Sequence, residues 1–258
     1  MAQSTIPTLH NLAHSQAFRC LWALEEIKLA NPAFQYKLEN YARIVGPNPA
    51  LIKHQRLGKS PIMTLETPDG SPPPTMRIEP GVLTEARLIL QFLNSEYGNR
   101  MFDPQSEADA RRDAFFQEFA VATVTVKVDF TLLFDIIPQF APFPFNWLLG
   151  LLTSPIIKYW LSDLEPIFQL LEDHLSEEKP WFSGEKMGLA DMNMTFGMDM
   201  AEQRGYFKPE KFPKVSAWMA RIRGREAWKR ALEKGCGYDL KTFGRYEKAD
   251  GSGRPKVD

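Results

Sequence analysis

Apolar residues recur along this chain with two periods, and the change from one to the other organises it. Residues 8–12 read as a strand. In residues 16–27 the apolar positions Ala17, Cys20, Leu21, Leu24 and Ile27 fall at helical spacing. Residues 34–38, FQYKL, alternate like a second strand. A short helix with proline at its start is predicted over 49–55. A third strand follows at 62–66, entered through Ser60 and Pro61. The stretch TPDGSPPPTMRIEPG is turn chemistry. A short strand around Val82 leads to a helix over 85–97, with Ala86, Ile89, Leu90 and Leu93 on one side. The predicted order is β-α-β-α-β-β-α.

Past residue 98 the strand period disappears. Helices are predicted over 107–134, 156–175, 189–204, 213–223 and 225–234. The pattern therefore predicts an α/β domain over 1–97, a linker over 98–105 and an all-helical domain over 106–240. A polar, glycine-rich tail occupies 241–258. No internal repeat is evident.

Composition narrows the class. The chain has 258 residues, 44% hydrophobic and 24% charged, which suits a globular protein. Its 31 basic and 32 acidic residues leave a net charge of −1, so nothing favours nucleic acid. Cys20 and Cys236 are two lone cysteines far apart. They form no CxxC and cannot hold a metal by themselves, and the simplest reading is two free thiols. The N-terminus lacks the basic and apolar regions of a signal peptide, and a cytoplasmic location is expected.

One segment complicates that location. Residues 136–157 carry no charge and are long enough to span a bilayer. They also contain Pro138, Pro142, Pro144 and Pro155, which remove backbone donors and oppose a regular helix in lipid. A loop and helix, or the wall of an apolar pocket, is expected instead, with peripheral contact at a membrane surface left open.

Several residue types point to chemistry. Ser15 and His14 stand between the first strand and the first helix. As a helix cap, Ser15 would accept a backbone N–H; as a functional group, it would offer its hydroxyl to a ligand. Pro61 opens a strand. A cis bond there would free the backbone of Ser60 to pair with an extended peptide, whereas a trans bond would make it an ordinary first strand residue. Glu85 sits at the start of a helix. It either complements the helix dipole or, with the free N–H groups beside it, binds a zwitterion.

Together these motifs resemble the cytosolic glutathione transferases, and the fungal, yeast-type branch in particular. The resemblance rests on S-x-x-x-R-x-L-W-x-L-E-E from Ser15, L-G-K-S-P from Leu57, L-T-E from Leu83 and G-L-A-D from Gly188, with A-P-F-P-F from Ala141 as a further likeness. It implies a thioredoxin-like N-terminal domain, an all-helical C-terminal domain and a homodimer. It also implies a detoxifying or stress-response enzyme that uses glutathione as co-substrate and no metal. Residue by residue, it makes Ser15 the hydrogen-bond partner of the glutathione sulfur and Lys59 a glutathione contact. Ser60, beside Pro61, would pair its backbone with the cysteinyl unit, and Glu85 would hold the γ-glutamyl ammonium. His14 is a second candidate for the thiol, and Asn11 a third. Asp191 is expected to be structural.

Two departures matter. Ala86 stands where the family has a serine, leaving only its backbone N–H for the γ-glutamyl carboxylate. Gly188 stands where a Ser or Thr cap is usual. The first tyrosine is Tyr36, which disfavours a tyrosine-type mechanism, and Cys20 lies inside the helix, which disfavours mixed-disulfide chemistry. The expected activity is conjugation of glutathione to apolar electrophiles, with reduction of organic hydroperoxides as a second use of the thiolate. The pocket for the electrophile is expected to draw on Phe140, Phe143, Phe145, Trp147 and the 107–134 helix. The rival reading is a non-catalytic binding or regulatory protein of the same fold, favoured by Ala86. A membrane-inserting relative is a third, opposed by the prolines.

Overall fold

The computed structural model describes residues 3–44 and 46–241. Most of the polar tail expected at 241–258 therefore lies outside the described residues. Packing divides the chain into two units. One comprises the residues up to Met101 and those from Ile222, and the other is Phe102–Arg221. Residues from Ile222 thus group with the first unit, where the pattern along the chain assigned them to the helical domain.

The first unit begins β1 (Ile6–Leu12), α1 (Ala17–Ala30), β2 (Lys37–Tyr41), α2 (Pro49–Ile52) and β3 (Ile62–Glu66). It continues with β4 (Thr75–Met76), β5 (Glu79–Pro80), β6 (Val82–Thr84) and α3 (Ala86–Glu96). The sheet runs β2-β1-β3-β6-β5-β4, with β1 and β2 parallel and the remaining pairs antiparallel. This is the mixed sheet of a thioredoxin-like domain. Two differences from the expected order stand out. The proline-rich turn contains the two-residue strands β4 and β5. The second strand also lies three residues later than its alternation suggests, because β1 selects the register, pairing Thr8 with Lys37 and Leu12 with Tyr41.

The core of this unit buries Leu9, Leu21, Leu24, Ile62, Met63, Ile89 and Leu93 completely. Each such side chain contributes about 1.5–3 kcal/mol by leaving water. Helix α1 is covered on every side, which explains its buried Glu25 and Glu26. Helix α9 (Glu226–Lys234) packs along α1, and Lys234 meets Glu25 at 2.6 Å. Arg225 meets Glu26 through two bonds of 2.5 and 2.8 Å, and Trp22 donates to Glu26 at 2.8 Å. The paired acids of the sequence motif thus receive their partners from the far end of the chain.

The second unit is all-helical. It contains α4 (Glu107–Glu118), a π-helical stretch (Phe119–Thr125), α5 (Val126–Ile136), α6 (Phe145–Asp173) and α7 (Leu189–Gln203). Helix α8 (Pro213–Arg223) closes it. The single helix expected over 107–134 is therefore interrupted by a wider turn. There Gly197 of α7 comes so close that a Cβ would stand 3.1 Å from Thr125 Oγ1, and Thr125 donates its hydroxyl to Ala120, five residues back. Helix α6 begins at Phe145, earlier than expected, directly after Pro144. It keeps Pro155 and Pro166 inside it. Among the described residues, no helix is long and apolar enough to cross a membrane.

Helix α7 is the centre of this unit. Asp191 accepts the N–H groups of Phe182 at 2.8 Å, Ser183 at 3.3 Å, Gly188 at 3.0 Å and the Trp218 indole at 2.8 Å. Asp113 supplies a second set of acceptors, to the Ser183 hydroxyl at 2.6 Å and the Ala190 N–H at 2.9 Å. The unusual Gly188 now has a reason. A Cβ there would lie 2.5 Å from Ser183 Oγ and 2.9 Å from the Phe102 carbonyl, so the capping work has passed to Asp113 and Asp191.

Candidate functional site

Several sequence-predicted residues converge at one edge of the first unit. Lys59, Ser60, Pro61, Glu85 and Ala86 line a hollow of about 140 Å³ together with Gln16, Gln55, Leu57 and Thr84. The β3–β6 pairing brings them together, since Ile62 lies opposite Thr84. The residues just before β3 and just after β6 therefore face one another.

Each wall has a local cause. The Ser60–Pro61 peptide is cis. The Ser60 hydroxyl ties the approach to β3 onto β1, donating to the His10 carbonyl at 3.1 Å and accepting the Leu12 N–H at 3.2 Å. The Ser60 backbone N–H and C=O have no partner among the described residues. Gly58, at φ +57, makes the preceding turn, where a Cβ would press within 2.8 Å of the Ile52 side chain. Lys59 is exposed.

Across the hollow, Glu85 occupies φ +69 and ψ 111, a region that side chains rarely adopt and that costs roughly 1–3 kcal/mol. Its carbonyl accepts the first helical bond, from Ile89, at 2.9 Å, while its carboxylate makes no cap. The carboxylate is left exposed beside the first-turn N–H groups of α3, the first of which belongs to Ala86. An anion acceptor and a cation acceptor thus stand side by side, with the Lys59 ammonium on the other wall.

Ser15 and His14 are placed differently. The Ser15 hydroxyl is buried, donates to the Leu12 carbonyl at 2.7 Å and accepts the Ala17 N–H at 3.1 Å. Its single proton is committed to Leu12, and it does not line the hollow; its neighbour Gln16 does. His14, at φ +53, turns toward the end of the chain. Its Nδ1 accepts the Asp239 N–H at 2.9 Å, and its own N–H donates to the Gly237 carbonyl at 3.0 Å. Asn11 is also engaged, donating to Asn40 at 2.8 Å.

Gln16 is one of two lining residues, with Gln55, that the motif reading missed. It accepts a hydrogen bond from the guanidinium of Arg19, which fixes its orientation. Burial holds Arg19 below its usual pKa, opposed by Cys20, Tyr238 and Glu85. Its position directly after Ser15 was the available signal. Neither cysteine is a nucleophile at neutral pH, since burial raises Cys20 to about 12 and Cys236 to about 11. Phe140, Phe143, Phe145 and Trp147 of the second unit are all exposed, Phe143 most of all at 84%.

Known proteins resemble this chain over most of its length. Residues 158–226 match the glutathione S-transferase C-terminal domain family. The chain is 25% identical over 230 residues to glutathione S-transferase 1 of Saccharomyces cerevisiae, covering 88% of this chain and 94% of that one. It is 28% identical over 232 residues to glutathione S-transferase 3 of Schizosaccharomyces pombe, covering 88% and 86%. The fold matches that of the glutathione transferase URE2P8 from Phanerochaete chrysosporium, solved with oxidized glutathione. The TM-score is 0.64 at 18% identity over 91% of this chain and 96% of that one. With the mixed sheet, the helical unit and the order of its motifs, these matches show a chain similar to the fungal glutathione S-transferases and sharing the glutathione transferase fold.

Proposed function

We propose that the hollow binds glutathione and presents its thiolate to apolar electrophiles. The observation that carries this reading is Glu85. Its exposed carboxylate, in a strained conformation at the head of α3, shares one hollow with the open backbone of Ser60. In this arrangement Glu85 takes the γ-glutamyl ammonium and the Ala86 N–H takes the adjoining carboxylate. Ser60 exchanges backbone bonds with the cysteinyl unit beside Pro61, and the Lys59 ammonium contacts the tripeptide. Two fungal relatives named glutathione S-transferase support the reading.

The reaction needs a thiolate. A thiol of pKa about 8.5 is about 3% ionised at pH 7, and lowering that pKa by about 2 units takes roughly 2.7 kcal/mol of differential stabilisation. The population gain of about 25-fold is partly returned, by roughly 8-fold, as nucleophilicity falls. Most of the acceleration must then come from holding the electrophile beside the sulfur. The sulfur attacks the electrophilic carbon, a C–S bond forms, and the leaving group departs with its electron pair. With a hydroperoxide, the same sulfur attacks the terminal oxygen, the O–O bond breaks and the alkoxide leaves as the alcohol; a second glutathione then displaces water from the resulting sulfenic acid to give the disulfide. Ser15 serves the sulfur by moving its proton from the Leu12 carbonyl. A bond to a charged acceptor is worth about 1.5–3 kcal/mol against about 0.5–1.5 for a neutral one, so the exchange favours the sulfur by about 1 kcal/mol. The active species is a homodimer.

The test is glutathione binding by calorimetry, with turnover of 1-chloro-2,4-dinitrobenzene and cumene hydroperoxide measured on the same preparation. Saturable binding with turnover of either substrate supports a transferase. The engaged Ser15 proton and Ala86 favour a second reading, a glutathione-binding protein without useful catalysis, which binding without turnover would establish. Absence of binding at cellular glutathione concentrations would overturn both.

A further inference from the structure

A second constellation lies on the same sheet and shares no residue with the hollow. His10 of β1 is the register partner of Glu39 of β2, so their side chains leave the sheet on one face. Tyr41 follows Glu39 by two residues and rises on that face too. His54 arrives from the turn after α2, its ring centroid 3.8 Å from that of His10. We propose that His10, Glu39 and His54, with the Tyr41 oxygen at the fourth corner, form a binding site for a zinc ion.

The distances carry the proposal. His10 Nδ1 lies 3.6 Å from Glu39 Oε2. The Tyr41 oxygen lies 3.0 Å from His10 Nδ1, 2.6 Å from Glu39 Oε2 and 3.2 Å from His54 Nε2. One ligand atom from each of His10, Glu39 and His54 lies within 4.8 Å of the others. A tetrahedral zinc ion with ligands at about 2.0–2.1 Å sets those ligands about 3.3–3.4 Å apart. The observed separations bracket that value, and closing the site takes a turn of the His54 ring out of its stack on His10.

Its chemistry fits as well. Two imidazoles, a carboxylate and a phenol oxygen suit a borderline divalent ion such as zinc better than the hard ions magnesium or calcium. The other nitrogen of His10, Nε2, lies 2.9 Å from Thr64 Oγ1. With an ion bound, donation from Nε2 to that hydroxyl would leave the Nδ1 lone pair for the metal, the outer bond that metal-binding histidines use. Entry is open on one side, because Glu39 is exposed and His54 half-buried, while His10 forms the floor. His54 adjoins Gln55, a wall of the hollow, so a bound ion would stiffen that wall. The ligands come from positions 10, 39, 41 and 54, which is why no metal spacing is visible in the sequence.

The test is a titration of the full chain, stripped with a chelator, with zinc sulfate. The expected result is one equivalent bound with Kd at or below about 1 μM. His54→Ala, made at a half-exposed position, should abolish that binding while the circular dichroism spectrum is kept. Thr64→Val should weaken it about 10–100-fold by releasing the His10 ring. His174→Ala, remote in sequence, should change nothing. Cobalt in place of zinc should show the strong visible bands of a four-coordinate centre. Binding that is absent, weaker than about 10 μM, or insensitive to His54→Ala and Thr64→Val would overturn the proposal and leave a purely hydrogen-bonded cluster. None of these outcomes depends on whether glutathione binds.

Discussion

The Ser15 hydroxyl donates its only proton to the carbonyl of Leu12 at 2.7 Å. The same oxygen accepts the Ala17 N–H at 3.1 Å, so it joins the end of β1 to the start of α1. Ser15→Ala should therefore lower stability by about 1 kcal/mol, the usual cost of a lost cap, read as a drop in the urea midpoint. In the proposed mechanism it should also raise the pKa of bound glutathione, followed by thiolate absorbance against pH. A stability loss with an unchanged thiol pKa would confine Ser15 to capping and leave thiolate stabilisation to the helix N-terminus.

Glu85 and Ala86 separate strain from binding. Glycine tolerates φ +69, so Glu85→Gly should keep or raise the melting temperature while weakening glutathione binding about 10–150-fold, as expected for losing a bond to a charged group. Ala86→Ser should act in the opposite direction and tighten binding by adding a hydroxyl at the carboxylate end. Calorimetry of both variants checks the pair. If neither changes affinity, the hollow is not the site.

Cys20 gives stability a defined pH dependence. Its thiol ionises near 9.0 in the unfolded chain and only at about 12 in the folded one, because burial disfavours the thiolate. Between those values the unfolded state binds fewer protons. The stabilisation is therefore complete below pH 9 and declines as pH rises above it, by at most about 1.4 kcal/mol per pH unit from this group. Cys20→Ala should flatten the fall measured by urea unfolding from neutral to alkaline pH. An equal slope in both proteins would refute the assignment.

Gly188 and Ser183 form a coupled pair. Restoring a serine with Gly188→Ser should destabilise the helical unit by about 1–3 kcal/mol through overpacking against Ser183. Adding Ser183→Ala should recover part of that loss, and a double-mutant cycle on thermal unfolding measures the coupling. Asp191→Asn should cost about 3 kcal/mol or more, since an amide cannot accept all four donors that meet the carboxylate.

Much of this protein was legible in the order of its residues. Alternation at 62–66 and helical spacing in α1, α3, α7 and α9 depend only on local periodicity, which a linear chain displays directly. The strand entrance at Pro61 and the acidic helix start at Glu85 were legible for the same reason, and so were five of the residues that line the hollow. What the sequence alone could not determine depends on partners distant along the chain. The register of β2 was decided by pairing with β1, and the start of α6 by the turn at Pro144. The buried acids Glu25 and Glu26 are answered by Lys234 and Arg225, some two hundred residues away. Ser15 looked the same in sequence whether its proton met a ligand or Leu12, because a hydroxyl's direction is set by the atoms folded around it. His10, Glu39, Tyr41 and His54 carry no motif at all. Only the parallel register of β1 with β2 and the return of the chain after α2 bring their donor atoms within bonding reach of one another, and distance is what turns four scattered side chains into a site.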